Sequence, residues 1–356
     1  MATSNAQRYL ANGGDDTDIG LSMFWGTVIE RFHAKTLLYN SVESDGGVGS
    51  MSMPTNVISS QVVNSGKSWE FPIIGEDPTP ETHTPGVELL GQNVALDKGT
   101  IVIDDIVVSH YDLAHDHTQL SHFSVLEPFA VKLGRSLANQ FDERLFQLAV
   151  LTARSAASTG FHNGGNRVTR SAATVAIAYA ATATGAQQLS ADIAQLARIM
   201  DEDNVPEEGR YLAITPYARQ VLTLGLETSW FSKDFSDPTV SSLNQRRVGL
   251  LHGFILMGPS NNIPIGQTSA ITTGPSQYQG NFVATGTGEP VAIALCGADE
   301  GSAAIGYVAA GDEKLNPLYA YRFYDERRNT TFMKAQMMVG AGSLAPWCAG
   351  AVEVVP

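Results

Sequence analysis

Apolar positions recur at helical spacing in three parts of the chain. Behind Glu127-Pro128, the residues Phe129, Leu133, Leu137, Phe141, Leu145 and Leu148 form one stripe, with Lys132, Arg135, Asp142 and Arg144 off it. A proline is tolerated in a first helical turn, and the three-to-four-residue repeat is that of one buried helix face. Continued to Ala157, the pattern predicts a helix of ~30 residues, a rod of ~45 Å that suits a structural spine. Earlier, Leu21, Phe24, Trp25, Val28, Ile29, Phe32 and Leu37 repeat in the same way after Asp18, a residue able to cap the helix. This second helix has few local neighbours. Its apolar face can pack on its own domain or dock onto a neighbouring subunit. A third helix is expected over Ser190–Asp203, with Ile193, Leu196, Ala197 and Met200 inward and a stop at Asn204-Val205-Pro206.

Other stretches read as strands. Residues 57–75 are extended up to Gly75, and Thr100–His110 (TIVIDDIVVSH) is rich in β-branched residues. Between them, Pro78, Pro80, Pro85, Gly86 and Gly91 fall among threonines and acids. Two strands around a long proline-rich tip describe an extended hairpin. A lone two-stranded hairpin is marginal in water, so one this long calls for support from a neighbour. Tyr211–Ile214, Gly249–Met257 and Pro290–Leu295 are apolar strands, and Pro216 opens a short helix through Leu222. Gly160–Gln188 is low in complexity and reads as loop or small-residue strands. Near the end, Tyr319–Tyr324 and Phe332–Val339 flank the charged turn Asp325–Asn329. This mixture argues for a compact α/β or α+β domain preceded by a polar arm over residues 1–18.

Composition sharpens the reading. Of the 356 residues, 43% are hydrophobic and only 16% charged, few for a monomer that must solubilise its whole surface. A chain that hides surface against its own copies needs fewer charges. The formal net charge of −14 repels phosphate backbones and argues against sequence-specific nucleic-acid binding, although not against enclosing nucleic acid. Cys296 and Cys348 read as small buried residues of a reducing compartment. Neither a signal segment nor an apolar run of ~20 residues is visible, which predicts a soluble protein made inside the cell.

The densest chemistry lies in His110, Asp112, His115, Asp116, His117 and His122. Imidazoles and carboxylates could hold a divalent ion, but the spacing fits no standard ligand set. Surface or interface histidines are the plainer reading, with a pH-sensitive interface as a variant. No phosphate-binding loop and no nucleophile elbow is present, so no catalytic, cofactor or metal residues are assigned. The basic pairs Arg246-Arg247 and Arg327-Arg328 suit salt bridges with nearby acids, inter-subunit contacts or loose contact with DNA.

The order of parts resembles the HK97-type major capsid fold, and among its members the capsid proteins of short-tailed (podovirus) phages. Gly66–Gly75 (GKSWEFPIIG) is similar to the ascending strand of that family's extended loop. Asp201–Pro206, Arg210–Ile214 and Pro216-Tyr217 resemble the helix–strand–helix step of its axial domain. Arg247–Phe254 with Asn262-Ile263-Pro264 is similar to the next strand, and Arg327–Ala349 to the last peripheral strands and the return. The resemblance implies an α+β fold with an N-terminal arm (1–56), an extended loop (57–110), a peripheral domain with a spine helix (111–187) and an axial domain (188–315). Returning peripheral strands (316–345) and a C-terminal return to the axial domain (346–356) complete it.

It implies a non-enzymatic shell subunit that forms hexamers and pentamers of an icosahedral head around double-stranded DNA. The expected partners are a separate scaffolding protein, a portal protein and a possible decoration protein, with no membrane and no cofactor. The expected location is the virion capsid, after synthesis in the host cytoplasm. Phe24, Trp25, Phe32, Lys67, Trp69, Glu76, Asp77, Glu88, Arg246, Arg247, Arg327 and Arg328 are the expected inter-subunit contacts. An encapsulin-like nanocompartment, a metal-dependent hydrolase using the histidine cluster, and a tail-tube or decoration protein are the competing readings.

Overall fold

The spine helix forms where the apolar stripe predicts it. Helix α1 spans Leu126–Ala153, 28 residues, in the computed structural model. The structure describes residues 24, 27–32, 35–36, 58–63, 67–74, 80–83, 88, 91–92, 95–103, 106–114, 126–157, 164–207, 209–225, 250–257, 259–297, 303–310, 318–325 and 327–356. Leu133, Leu137, Phe141 and Leu145 are buried, as the stripe requires. From Phe141 onward the burial goes all round: Phe146, Ala149 and Val150 are inside, and so are Asp142 and Gln147. Asp142, although off the apolar stripe, is buried with it. A helix enclosed on every side has no solvent face to offer a polar residue.

Three sheets do the enclosing. The largest takes β5 (Asn166–Ser171), β14 (Ala349–Val355), β9 (Glu289–Cys296), β6 (Arg210–Ile214), β8 (Phe254–Leu256) and β7 (Leu250–Leu251), in that order. A second has β11 (Leu318–Asp325), β12 (Thr330–Met337) and β4 (Val107–Ala114), all antiparallel. In the third, β10 (Ile305–Ala310) lies between β1 (Ile58–Val63), its parallel partner, and β13 (Val339–Ser343), its antiparallel one. Helix α1 touches strands of all three. Of the helices α2 (Val175–Ala178), α3 (Ala183–Glu202) and α4 (Pro216–Gly225), α3 packs on β5 and β14 of the largest sheet and α4 packs against α3. Among the described residues no helix is long and apolar enough to cross a membrane.

Several expected elements break where a local constraint intervenes. The stretch 57–75 splits into β1 and a strand β2 (Ser68–Ile74), which pair with different partners. Thr100–His110 likewise divides between a strand β3 (Leu96–Val102) and β4. The acids of Asp104-Asp105 separate the two halves in the sequence. Where one strand is expected over Gly249–Met257, residues Leu250–Leu256 form a tight hairpin, because His252 and Gly253 both take positive φ (48° and 84°), the geometry of a two-residue hairpin turn. The low-complexity stretch supplies β5, α2 and the first two turns of α3, which Thr182 caps by accepting a hydrogen bond from Gly185 N–H at 3.3 Å. The boundary expected near residue 187 thus falls inside α3, and β5 joins β14 in the largest sheet.

Buried charge fastens these layers. The Glu353 side chain, on β14, has no exposure. Arg154, just past α1, donates from Nε to Glu353 Oε1 at 2.8 Å and to the carbonyls of Asn281 and Gly288 at 2.6 and 2.8 Å. Arg167 on β5 pairs with the other carboxylate oxygen. A second network joins β5, α2 and α3. Arg170 grips Asp192 with two bonds of 2.6 and 2.7 Å, and the Tyr179 hydroxyl donates to Asp192 at 2.6 Å. Burial, reinforced by the hydrogen bond to Asp192, pushes the Tyr179 hydroxyl well above the usual tyrosine range.

Two outcomes are expected. Glu353→Gln leaves two guanidinium groups facing a neutral amide and should cost about 3–5 kcal/mol in denaturant unfolding, as breaking a buried pair does. The raised Tyr179 value means that the unfolded chain ionises first. Its contribution to stability is complete below pH ~10 and falls as pH rises through the folded value. Denaturant titrations at pH ~9 to ~11 should show this loss, and Tyr179→Phe should flatten it.

Candidate functional site

Two elements reach out from this body, and each is seated where a glycine removes a side chain. Strands β2 and β3 pair antiparallel from Ser68↔Val102 at the root to Ile74↔Leu96 toward the tip. At the root, Ile103 N–H donates to Lys67 O at 2.7 Å, and Ile101 is buried against Gly342 on β13. A Cβ at Gly340, also on β13, would collide with the Val102 carbonyl oxygen. The hairpin therefore crosses β13 backbone to backbone. Glycine inside a strand marks such a close approach.

Away from the root the hairpin loses its support. Trp69 and Phe71 share a face with ring centroids 5.2 Å apart, and both stay only half-buried. The cross-strand pair Lys98–Glu70, at 2.5 Å, is exposed on both sides and so contributes little. Leu96, at the far end, is 75% exposed. Gln92 donates to Glu81 at 3.1 Å across the loop beyond.

The arm helix, described at residues 24, 27–32 and 35, lies on the spine. Phe24, Val28 and Phe32 are buried, and the Phe32 ring centroid is 5.9 Å from that of Phe141. Its backbone comes so close to α1 that a Cβ at Gly134 would sit 2.5 Å from the Val28 carbonyl oxygen. Of the two roles open to this helix from sequence, packing on its own chain accounts for these residues.

The sheet of β11, β12 and β4 presents the third surface. Met333, Ala335 and Met337 turn inward and are buried. On the outer face, the register aligns Phe323, Phe332 and Asp112 in one row and Tyr321, Lys334 and His110 in the next. Phe332 lies between Phe323 (5.1 Å) and His110 (5.6 Å, stacked), and Lys334 Nζ sits 5.4 Å from the Tyr321 ring centroid. Tyr321, Phe323 and Val108 remain exposed. A solvated antiparallel sheet ordinarily turns polar residues outward. Here aromatic surface faces out instead, as interaction patches do.

The expected contact residues separate accordingly. Phe24 and Phe32 are corrected to core residues of the chain's own body, since burial on the spine leaves them nothing to present. Lys67 and Glu88 are exposed, and Trp69 is half-buried on the hairpin. Arg327 and Arg328 are exposed on the turn after β11. There Arg327 N–H donates to Asp325 at 2.9 Å, and the Arg328 guanidinium stands 3.9 Å from the same carboxylate. Trp25, Glu76, Asp77, Arg246 and Arg247 lie outside the described residues, as do His115, Asp116, His117 and His122. His110 and Asp112 are exposed on β4, and the described residues contain no group of three or more metal-binding side chains. The residues that sequence reasoning passed over are Gly134, Gly340 and Gly342. The alternating glycines of Val339–Ser343 (VGAGS) were the available signal.

Gly340→Val should unseat the hairpin root, and Gly134→Val the arm helix. Each should cost at least the ~1–3 kcal/mol of an overpacked site. Thermal unfolding of the two variants checks the cost. Circular dichroism of native secondary structure should change little, because each substitution acts on the seat of a projecting element and the largest sheet lies elsewhere.

A model of the Gp10A-like family, described as major capsid protein, matches residues 70–353. The capsid structure of the cyanophage P-SCSP1u is similar at 27% identity and a TM-score of 0.68, covering 88% of this chain and 91% of that one. The mature capsid of bacteriophage PhiM1 is similar at 17% identity and a TM-score of 0.62, covering 88% and 90%. A virus-like particle from Pyrococcus furiosus shares the fold at 10% identity and a TM-score of 0.50, covering 94% and 99%. A comparison with curated protein sequences finds no match.

Proposed function

The chain belongs to the Gp10A-like family of major capsid proteins and has the HK97-type fold of tailed-phage heads; from that premise we propose that its copies form the hexamers and pentamers of an icosahedral head around double-stranded DNA. One observation carries the step from fold to assembly. Among the described residues the hairpin is seated at its root, while toward its far end Leu96 is exposed and Trp69 and Phe71 are only half-buried. Such an element gains its order from another chain, which couples hairpin ordering to assembly. The aromatic outer face of β11, β12 and β4 supports the same reading.

In this proposal residues 1–56 are the arm and 57–110 the extended loop. The spine and the sheet of β11, β12 and β4 are the peripheral domain. The axial domain, centred on the largest sheet, packs around the symmetry axes and takes in β5 and the C-terminal strand β14. A separate scaffolding protein directs closure, a portal protein occupies one vertex, and a decoration protein is an optional addition. Synthesis takes place in the host cytoplasm, and the net charge of −14 keeps the wall from gripping the packaged DNA. Lys67, Trp69, Glu88, Arg327 and Arg328 are the contacts retained for neighbouring subunits, together with the earlier-named residues outside the described set.

The fold is shared with a virus-like particle, so the contents of the shell discriminate. Electron microscopy of the chain co-expressed with its scaffolding protein should show closed icosahedral shells. Particles from infected cells should hold nuclease-protected double-stranded DNA. A persistent monomer or dimer with scaffold supplied would overturn the shell, and protein cargo in place of DNA would move it to the nanocompartment class.

A further inference from the structure

The two cysteines end neighbouring elements: Cys296 closes β9, and Cys348 closes the 3-10 turn that leads directly into β14. Strands β9 and β14 pair antiparallel with Ala349↔Leu295, Gly350↔Ala294 and Ala351↔Ile293 in register. One step beyond the first of these pairs lie Cys348 and Cys296, the last residues of a 3-10 turn and of β9. Residues opposed in an antiparallel pair have Cα atoms ~4.5–5.5 Å apart, inside the span of ~4.4–6.8 Å that a disulfide bridges. Both cysteines are fully buried thiols, and the two sulfur groups hydrogen-bond to each other. Cys296 Sγ also lies 3.6 Å from the Pro206 carbonyl oxygen, in the segment that Arg210 clamps through Nε to the same carbonyl at 2.8 Å.

We propose that Cys296 and Cys348 are a latent disulfide site, closed within one chain by a small disulfide oxidant and open in a reducing compartment. The thiolate of one cysteine attacks the small disulfide, expels one thiol and becomes a mixed disulfide. The second cysteine attacks the protein sulfur of that mixed bond and expels the other thiol. The two cysteines are oxidised, the small disulfide is reduced, and the two protons leave on the released thiols. The bond closes a loop over residues 297–347, which contains β10, β11, β12 and β13. A loop that long removes much freedom from the unfolded chain when it is closed. In the reduced protein the Cys348 thiol is held well above the usual range, first by its bond to Cys296 and then by burial. Closure is therefore slow unless the site opens or the pH is raised.

The site stands on register and burial alone. Its timing rests on the shell reading, in which a particle leaves a reducing cell for an oxidising medium.

The test is incubation of the full-length folded chain with oxidised glutathione at mildly alkaline pH, followed by alkylation, intact mass and peptide mapping. The expected result is a chain lighter by two hydrogen atoms, with no glutathione retained and the two cysteine peptides joined. Its melting temperature should rise by several degrees and return on reduction, and Cys296→Ser and Cys348→Ser should show neither effect. The inference is overturned if both thiols alkylate fully after oxidation, or if glutathione stays on one cysteine. A bond between chains, or one formed only in urea, overturns it equally. Whether the same protein builds shells does not enter this readout.

Discussion

A carboxylate with no access to water has to be answered by positive charge from within, and the packing around Glu353 follows from that requirement. Its two partners come from the end of the spine and from β5, while Glu353 itself sits on the last strand. Arg154 also holds the carbonyls of Asn281 and Gly288, so one guanidinium fixes the segment leading into β9. The chain thus locks its C-terminal strand, its spine and the largest sheet at one point. Leaving any member unpaired would strand a charge in a low-dielectric interior, where the cost is several kcal/mol. The spine can then be enclosed by three sheets with polar residues such as Asp142 inside.

With the body fixed, the projecting parts need only narrow seats. The arm helix comes down on Gly134 and the hairpin root on Gly340 and Gly342. At Gly134 and Gly340 the contact is with the backbone of the projecting element, and at Gly342 with the Ile101 side chain. This economy sets the limit of what one chain can hold in place. The arm residues Phe24, Val28 and Phe32 find cover on the spine, whereas Leu96 at the far end of the hairpin finds none. In the proposed assembly, the division between a self-sufficient body and a hairpin covered by a neighbour is the physical content of a shell subunit.

Much of this was legible in the sequence. The spine, the amphipathic face of α3 and the paired strands β11 and β12 follow from periodicity, because burial there is one-sided and repeats regularly. The breaks were not legible. Whether 57–75 is one strand or two depends on β10, some 230 residues later in the chain, which no local pattern encodes. Gly249–Met257 hides its turn because His252 adopts positive φ, a conformation unusual outside glycine. The burial of the expected contact residues meets the same limit. Aromatic residues such as Phe24 and Phe32 look alike in sequence whether they cover the chain's own spine or a neighbour. Glycines such as Gly340 carry their meaning only once the crossing strand is in place. The nearness of Cys296 and Cys348 likewise emerges only once β9 and β14 are paired.

Hydrogen exchange, compared between unassembled subunits and closed shells, tests the central claim most directly. Amides of α1, β9 and β14 should be protected in both states, and those of Leu96–Gly99 with their partners on β2 only in the shell. Equal protection of the distal hairpin in free subunit and shell would contradict the account, because the hairpin would then be stable without a neighbour.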